Sequence, residues 1–497
     1  MTREQLIDLL NRLEQKYPVE KWKVESMDIW PIVKTILFFE AYKSIENIGF
    51  QDKMLRVQRF FGREFSSIRN RIKSKINTDR QIVLADITEE HKINEIDLFF
   101  SSAVTYRSEY NNQSFSRYFD PLMDEAELLG KKALLFEYAN YDNPNVYKEQ
   151  RVINAAKKYK HFQSVFPKST VDFSGLQQFN QLIREFPVSS FVLKWKIARA
   201  IKQTLIWEML WTNQLQKTMP QIAMGICYYN WPMFGLKLAC NKRSIPFIDM
   251  QHGGQGILHP SYTFNKKIAQ LNLLPDYFWL WDKASADHLA QWIDNKDRII
   301  LNGNPWHGFL AEKAMDNNYP VEEKKVIVYT LQTGLSIPEF LLETIRTTPD
   351  HFIWYIRFHP RMTTSERKNI NKKLNSSVAG GVVNLSDANT EPLPLLLSKA
   401  LVHLSAYSGS ITEAALKGVP VNITFDQIGK HSFANLIEEG KCLFFDKEGK
   451  LKLWNFIELE LKGKPTAAAL NDNIAHKNST ENLYEKILLN KVEHIHN

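Results

Sequence analysis

Tyr355-Ile356-Arg357-Phe358-His359-Pro360-Arg361 is an apolar strand that runs directly into cationic, imidazole and proline chemistry. Pro360 holds the turn that follows and disfavours a helical conformation at His359. His359 is therefore expected at a strand's carboxyl end, which is where parallel α/β sheets bind ligands. Outward from this stretch, further short apolar runs occur at Val326–Leu331, Phe352–Phe358, Val382–Leu385, Ala400–Leu404, Val419–Thr424 and Cys442–Phe445. Helices fit at 336–347, 363–374, 391–398, 409–417 and 430–439. This alternation predicts a doubly wound α/β domain of about six parallel strands over 325–479.

A second alternation precedes it. Apolar runs at Ile96–Phe100, Ala133–Glu137, Ile222–Cys227, Pro246–Met250, Tyr277–Trp281 and Arg298–Leu301 predict another Rossmann-like unit over 81–303. The interval 145–218 carries helical periodicity and reads as a helical insertion. Gly303-Asn304-Pro305 opens an expected linker over 304–324 that ends in a charged run. Residues 1–80 read as a helical segment in which Trp22, Trp30 and Pro31 anchor onto something larger. The final helix, within 480–497, would pack back on the first domain. The fold class expected is thus α/β, with two Rossmann-like domains facing a cleft.

The chain has 497 residues, too many for one hydrophobic core. Cys227, Cys240 and Cys442 form neither a disulfide framework nor a zinc pattern, as expected in a reducing compartment. Met1–Leu10 lacks the apolar run of a signal peptide, and no apolar segment reaches the length of a membrane span. A cytoplasmic location is expected. The net charge of +8 suggests an anionic partner. Between Lys53 and Lys75 there are eight Lys or Arg residues and one acid, Glu64, with Met54, Val57, Phe61, Phe65, Ile68 and Ile72 on one helical face. This stretch is either a core-facing helix with a solvated basic side or a helix lying on the inner, anionic membrane surface. No nucleic-acid-binding module accompanies the charge, so no nucleic-acid partner is expected.

Three further features carry chemistry. In Leu404-Ser405-Ala406-Tyr407-Ser408-Gly409-Ser410-Ile411-Thr412-Glu413 a strand ends in hydroxyl residues and a glycine before a helix begins. Exposed amides and the Ser408 and Ser410 hydroxyls suit a phosphate, with Gly409 allowing close approach. Ser410 and Glu413 equally fit a capping box. In Asp249-Met250-Gln251-His252-Gly253-Gly254-Gln255-Gly256 a first-domain strand ends in a glycine-rich loop. His252 there is a candidate base toward an acceptor hydroxyl, with Gln251, Gly253 and Gly254 lining the cleft, although such loops also serve as plain turns. Glu391, before Pro392, either receives hydrogen bonds from a nucleoside or is an acid favoured by a helix dipole, and Glu413 has the same ambiguity. Arg357 and Arg361 flank His359 with positive charge. No G-x-x-x-x-G-K-[ST], G-x-G-x-x-G, D-x-D or metal-ligand cluster is present, so neither a metal nor another cofactor is expected.

These residues resemble GT-B enzymes of bacterial surface-polysaccharide synthesis. Arg357–Pro360 looks like the His-Pro motif of GT-B sialyltransferases and Kdo-type transferases, and Ser408-Gly409-Ser410 resembles their paired serines, here separated by a glycine. Glu391 lies where those enzymes have a nucleoside-binding acid. The same Arg-x-His-Pro and later Ser pattern is similar to that of teichoic-acid glycerophosphotransferases, whose His-Gly loop Gln251-His252-Gly253 resembles. Both groups use cytidine nucleotides. The resemblance implies a metal-independent, inverting glycosyltransferase that takes a CMP-linked sugar to a lipopolysaccharide or capsule glycan. His359, Arg357, Pro360, Glu391, Ser408, Gly409, Ser410 and Glu413 would hold the donor, and His252 would act as base. A UDP- or GDP-sugar transferase, a sugar-nucleotide epimerase, a CDP-glycerol-type transferase and a non-catalytic assembly or membrane-scaffold protein on the same fold are the alternatives.

Overall fold

The computed structural model describes residues 2–45, 95–138, 145–155, 159, 173–315, 324–360, 362–378, 381–462 and 464. The basic 53–75 stretch, Arg361 and the 480–497 helix lie outside the described residues.

The chain opens with helices Arg3–Lys16 and Trp30–Ile45, separated by the short strands β1 (Lys23–Val24) and β2 (Met27–Asp28). Thr2 caps the first helix in a capping box with Gln5. Trp22 and Trp30 are fully buried, as their expected anchoring role requires. The Glu14 carboxylate, itself buried, receives Trp30 Nε1 at 2.8 Å, Lys34 Nζ at 2.7 Å, and the Asn265 amide and side chain at 3.0 Å each. An ion pair out of water is tolerable only when its remaining hydrogen-bonding capacity is met. Here that requirement ties both helices to the first α/β domain.

That domain contains β3 (Leu98–Ser102), β4 (Arg107–Tyr110), β5 (Gln113–Ser116), β6 (Ala133–Glu137), β7 (Val152–Asn154), β8 (Phe173–Ser174), β9 (Ile222–Ile226), β10 (Phe247–Met250), β11 (Tyr277–Leu280) and β12 (Ile299–Leu301). Seven of them form one parallel sheet in the order β12-β11-β10-β9-β3-β6-β7. β4 and β5 make an antiparallel hairpin, and β8 joins β1 and β2 in a small separate sheet. The expectation of a helical insertion over about 145–218 is corrected in its first part, where strands occur. Val152–Asn154 is the edge strand of the main sheet, Phe173–Ser174 is a further short strand, and the helix Leu176–Glu185 follows. The helix Ser190–Thr218 then packs along Trp231–Asn241. Gly235 makes that contact possible, since a Cβ there would stand 2.6 Å from Trp207 Cβ and 2.7 Å from the Glu208 amide nitrogen.

Within the expected linker, Pro305–Met315 is a helix. Its Trp306, Phe309 and Leu310 bury with Tyr110 and Phe115 of the hairpin and with Leu395 of the second domain. The second domain has β13 (Lys325–Thr330), β14 (Phe352–Arg357), β15 (Val383–Asn384), β16 (Ala400–Ser405), β17 (Val421–Thr424) and β18 (Leu443–Phe444), all parallel, in the order β15-β14-β13-β16-β17-β18. Counting from the first strand of each unit, the second sheet reads 3-2-1-4-5-6, the doubly wound order, and the first reads 3-2-1-4-5-6-7, the same order with one further strand. The order reverses beside β3 and β9 in the first sheet and beside β13 and β16 in the second. Ligand crevices open at the carboxyl ends of such strand pairs.

Candidate functional site in the interdomain cleft

The two crevices face each other. A Cβ built on Gly409, which follows β16, would stand 3.2 Å from Gly253 Cα, which follows β10. One built on Gly256 would stand 3.5 Å from the Ser432 carbonyl oxygen. A side chain at position 409 would crowd the facing backbone, so glycine there favours the close approach. The His252 loop and the Ser408 loop, 156 residues apart in sequence, thereby share one cleft.

On the first-domain side, β3 ends in Val104–Tyr106 and β9 in Cys227-Tyr228-Tyr229. Cys227 adopts a left-handed backbone with φ of 62°. The Tyr229 hydroxyl lies 3.3 Å from His252 Nε2 and 3.2 Å from His259 Nε2, and the Tyr106 ring meets His252 edge-on at 5.6 Å. His252 is half-buried, held by aromatic side chains that sequence reading did not single out. Beneath it, buried Asp249 accepts the Tyr262 hydroxyl at 2.7 Å and the Tyr228 amide at 3.0 Å. Burial pushes its carboxyl up to about 7 against those hydrogen bonds. Burial likewise drives His259 well below the usual imidazole range, helped by the nearby charges of Arg3, His252 and His288. Gln251 does not face the cleft. Its Nε2 donates to Gly253 O and Asp282 Oδ2, and its Oε1 accepts the Trp281 amide at 2.6 Å, so its side chain is used in fixing the loop.

On the second-domain side, Phe358 donates its amide to Asn389 Oδ1 at 2.8 Å, and His359 O accepts the Met362 amide at 2.9 Å. The strand thus ends at Arg357 and turns, leaving His359 half-buried and Pro360 exposed. Arg357 Nη1 donates to the carbonyls of Ala388 at 2.8 Å and Glu391 at 2.5 Å. The Glu391 carboxylate is paired with Lys399 at 2.8 Å.

Ser408 and Ser410 part company. Ser408 is half-buried at the cleft and its Oγ accepts the Ser410 amide at 3.3 Å. The Ser410 hydroxyl instead turns into the sheet, 2.7 Å from Thr330 Oγ1. Thr330 continues to His403 Nε2 at 3.1 Å, and His403 Nδ1 to Asn422 Oδ1 at 2.8 Å. Burial lowers His403 to about 4, so this chain is a neutral, structural one. The capping box expected of Ser410 and Glu413 does not form. The helix Ser410–Leu416 begins after Gly409 without a side-chain cap, because Glu413 points across the domain boundary. Its Oε2 lies 3.3 Å from His307 Nε2. Burial would raise the Glu413 carboxyl, but the hydrogen bond from His307 and the positive charges of Arg117 and Arg357 hold it below its ordinary value. Burial lowers His307, so at neutral pH the ring donates as a neutral imidazole.

A groove of about 880 Å³ also opens at the opposite, amino-terminal edge of the first sheet. Two of its cations are already bonded: Lys237 bonds Asn241 and Asp276 at 2.6 Å each, and Arg298 donates to the carbonyls of Asp276, Ala269 and Pro275. Among the described residues no group of three or more His, Cys, Asp or Glu could hold a metal, and no helix is long and apolar enough to cross a membrane.

Two doubly wound parallel sheets with their carboxyl edges across a cleft place the chain in the GT-B architectural class. No protein-family model and no curated protein matches the sequence. Solved structures with a similar chain path include UDP-N-acetylglucosamine 2-epimerase from Rickettsia bellii, at 12% identity over 81% of this chain and 98% of that one, with a TM-score of 0.48. The UDP-GlcNAc 2-epimerase from Methanocaldococcus jannaschii, in complex with UDP-GlcNAc and UDP, matches at 14% identity over 80% and 100%, with a TM-score of 0.48. The glycotransferase of kitacinnamycin matches at 11% over 80% and 95%, with a TM-score of 0.42. At such identities the likeness is one of chain path alone.

Proposed function

We propose that the cleft binds a nucleotide-linked sugar and that the protein is a glycosyltransferase. The observation that carries this reading is the meeting of the His252 and Ser408 loops through Gly253 and Gly409, at the carboxyl edges of both sheets. A phosphate-bearing donor sits against the second domain, where Arg357, His359, Ser408 and the backbone at Gly409 supply cationic and hydrogen-bonding groups. Ser410 and Glu413 support that wall from behind. Glu391 holds the nucleoside while sharing its carboxylate with Lys399. The cytidine resemblance favours a CMP-linked donor, and a bacterial surface glycan is the acceptor. In the reaction, His252 takes the proton of an acceptor hydroxyl, whose oxygen forms the new bond to the anomeric carbon as the bond from that carbon to the phosphate oxygen breaks. The electron pair leaves with the nucleotide, where His359 and Arg357 stabilise the growing charge. A metal is not required, since side-chain and backbone donors meet the phosphate charge.

Thermal unfolding of the full chain with CMP, CDP, UDP and GDP tests this. The CMP or CDP arm should raise the midpoint, and His359→Ala should abolish the rise. A rise with UDP or GDP alone would replace the cytidine assignment, and no rise with any of the four would overturn the nucleotide site.

A further inference from the structure

We propose that Arg117, on the first domain, is the second anion contact of the cleft, so that the donor's phosphate is gripped by one guanidinium from each domain. Arg117 follows β5 on a hairpin whose Tyr110 and Phe115 are buried against the interdomain helix and Leu395. Its Nε donates to the Tyr106 carbonyl at 3.0 Å, and its guanidinium lies 5.3 Å from the centre of the Tyr118 ring. Tyr106 is the same residue whose ring meets His252. Among the described residues the two terminal nitrogens of Arg117 make no hydrogen bond, and Arg357 is bonded through Nη1 alone.

Arg117 and Arg357, one from each domain, both lie within electrostatic reach of the Glu413 carboxylate. Each acts on Glu413, and after burial the charge of Arg117 is the next force lowering Arg357, to about 10. His307 is neutral and Glu391 is matched by Lys399, so two guanidiniums share one carboxylate. The cluster is one negative charge short of balance. Guanidinium is suited to fill that deficit with a phosphate, through paired N–H donors of fixed geometry. Glu413 is then the resting counter-ion, which a nucleotide phosphate supplements. The domains are joined at this point by charge as well as by packing, so binding a phosphate between the arginines also favours the closed cleft.

This inference rests on the nucleotide reading above, and calorimetric titration of the full chain with CMP and UDP, beside cytidine and uridine, separates the two. Arg117→Gln should weaken whichever nucleotide the parent binds by about tenfold or more. Arg117→Lys should recover part of that loss, because it restores charge without the fork. Glu413→Gln, which frees both arginines, should tighten nucleotide binding several-fold, on the order of one partly screened charge contact. Nucleosides, lacking phosphate, should respond to none of these changes. Unchanged nucleotide affinity in Arg117→Gln, beside a loss in His359→Ala, would overturn the role of Arg117 and leave the site standing. Equal loss of nucleotide and nucleoside would show a distorted cleft and overturn it as well. If Arg117→Gln does not fold, Glu413→Gln decides: affinity that fails to tighten contradicts the proposal. A parent chain that binds neither nucleotide removes both readings.

Discussion

At the scale of single residues, the cleft separates side chains that face a ligand from side chains that hold the walls. His359 and His252 belong to the first kind in the proposed reaction. His359→Ala should lower turnover by about a hundred- to a thousandfold, the usual effect of removing a donor aimed at developing charge. His252→Ala should cost about a hundred- to ten-thousandfold in transfer while nucleotide binding is kept. Single-turnover rates and binding isotherms on the two variants check this, and near-normal transfer by either contradicts its role. Asp249 belongs to the second kind. An unfolded aspartyl ionises near 3.8, whereas buried Asp249 keeps its proton to about 7. Between those values the folded state binds more protons than the unfolded state, so this group's contribution falls as pH rises from about 4 to about 7. The slope is at most about 1.4 kcal/mol per pH unit. Asp249→Asn cannot ionise, so its stability relative to the parent should improve between pH 5 and pH 8 in urea unfolding. An unchanged gap would show that Asp249 ionises normally. The strand-end positions of His252, His359 and Ser408 were legible in the sequence because periodicity stops there. The inward turn of Ser410 and the side-chain bonding of Gln251 were not, because each is decided by a partner on another strand: Thr330 for one, Asp282 and the Trp281 amide for the other.

At the scale of elements, every apolar run read as a parallel strand is one, with ends moved by up to two residues. Those runs are β-branched and aromatic on both faces because helices cover both sides of the sheet. What escaped reading were elements too short or too polar for that signal. Val152–Asn154 has three half-buried residues, and the β4–β5 hairpin alternates around Asn111-Asn112, both with positive φ. Two changes test the element contacts. Gly235→Ala should destabilise by about 1–3 kcal/mol through overpacking, because its Cβ would meet the backbone of the facing helix as well as Trp207. Lys34→Met should cost about 3–5 kcal/mol, because it leaves the Glu14 carboxylate buried without its counter-ion. Adding Glu14→Gln to Lys34→Met should return part of that loss. Additive costs in the double variant would show that the pair is not coupled.

At the scale of the whole molecule, the N-terminal helices, two Rossmann-like sheets and the interdomain helix form a frame whose product is the cleft. Two domains were legible from the repeated alternation. How they meet was not. It is set by Trp306, Phe309 and Leu310 against Tyr110, Phe115 and Leu395, and by Glu413 against His307, residues up to 285 positions apart with no local pattern to connect them. Arg117 was missed for the same reason, since the charges it acts on, Glu413 and Arg357, lie on the other domain. The central claim is that this cleft is a nucleotide site built from both domains. A crystal structure of the full chain soaked with CMP tests it most directly. The account predicts the phosphate between Arg357 and Arg117, within hydrogen-bonding reach of His359 or Ser408, and the ribose toward Glu391. A nucleotide bound elsewhere, such as in the groove beside Lys237, or a cleft left empty at saturating CMP, CDP and UDP would contradict it.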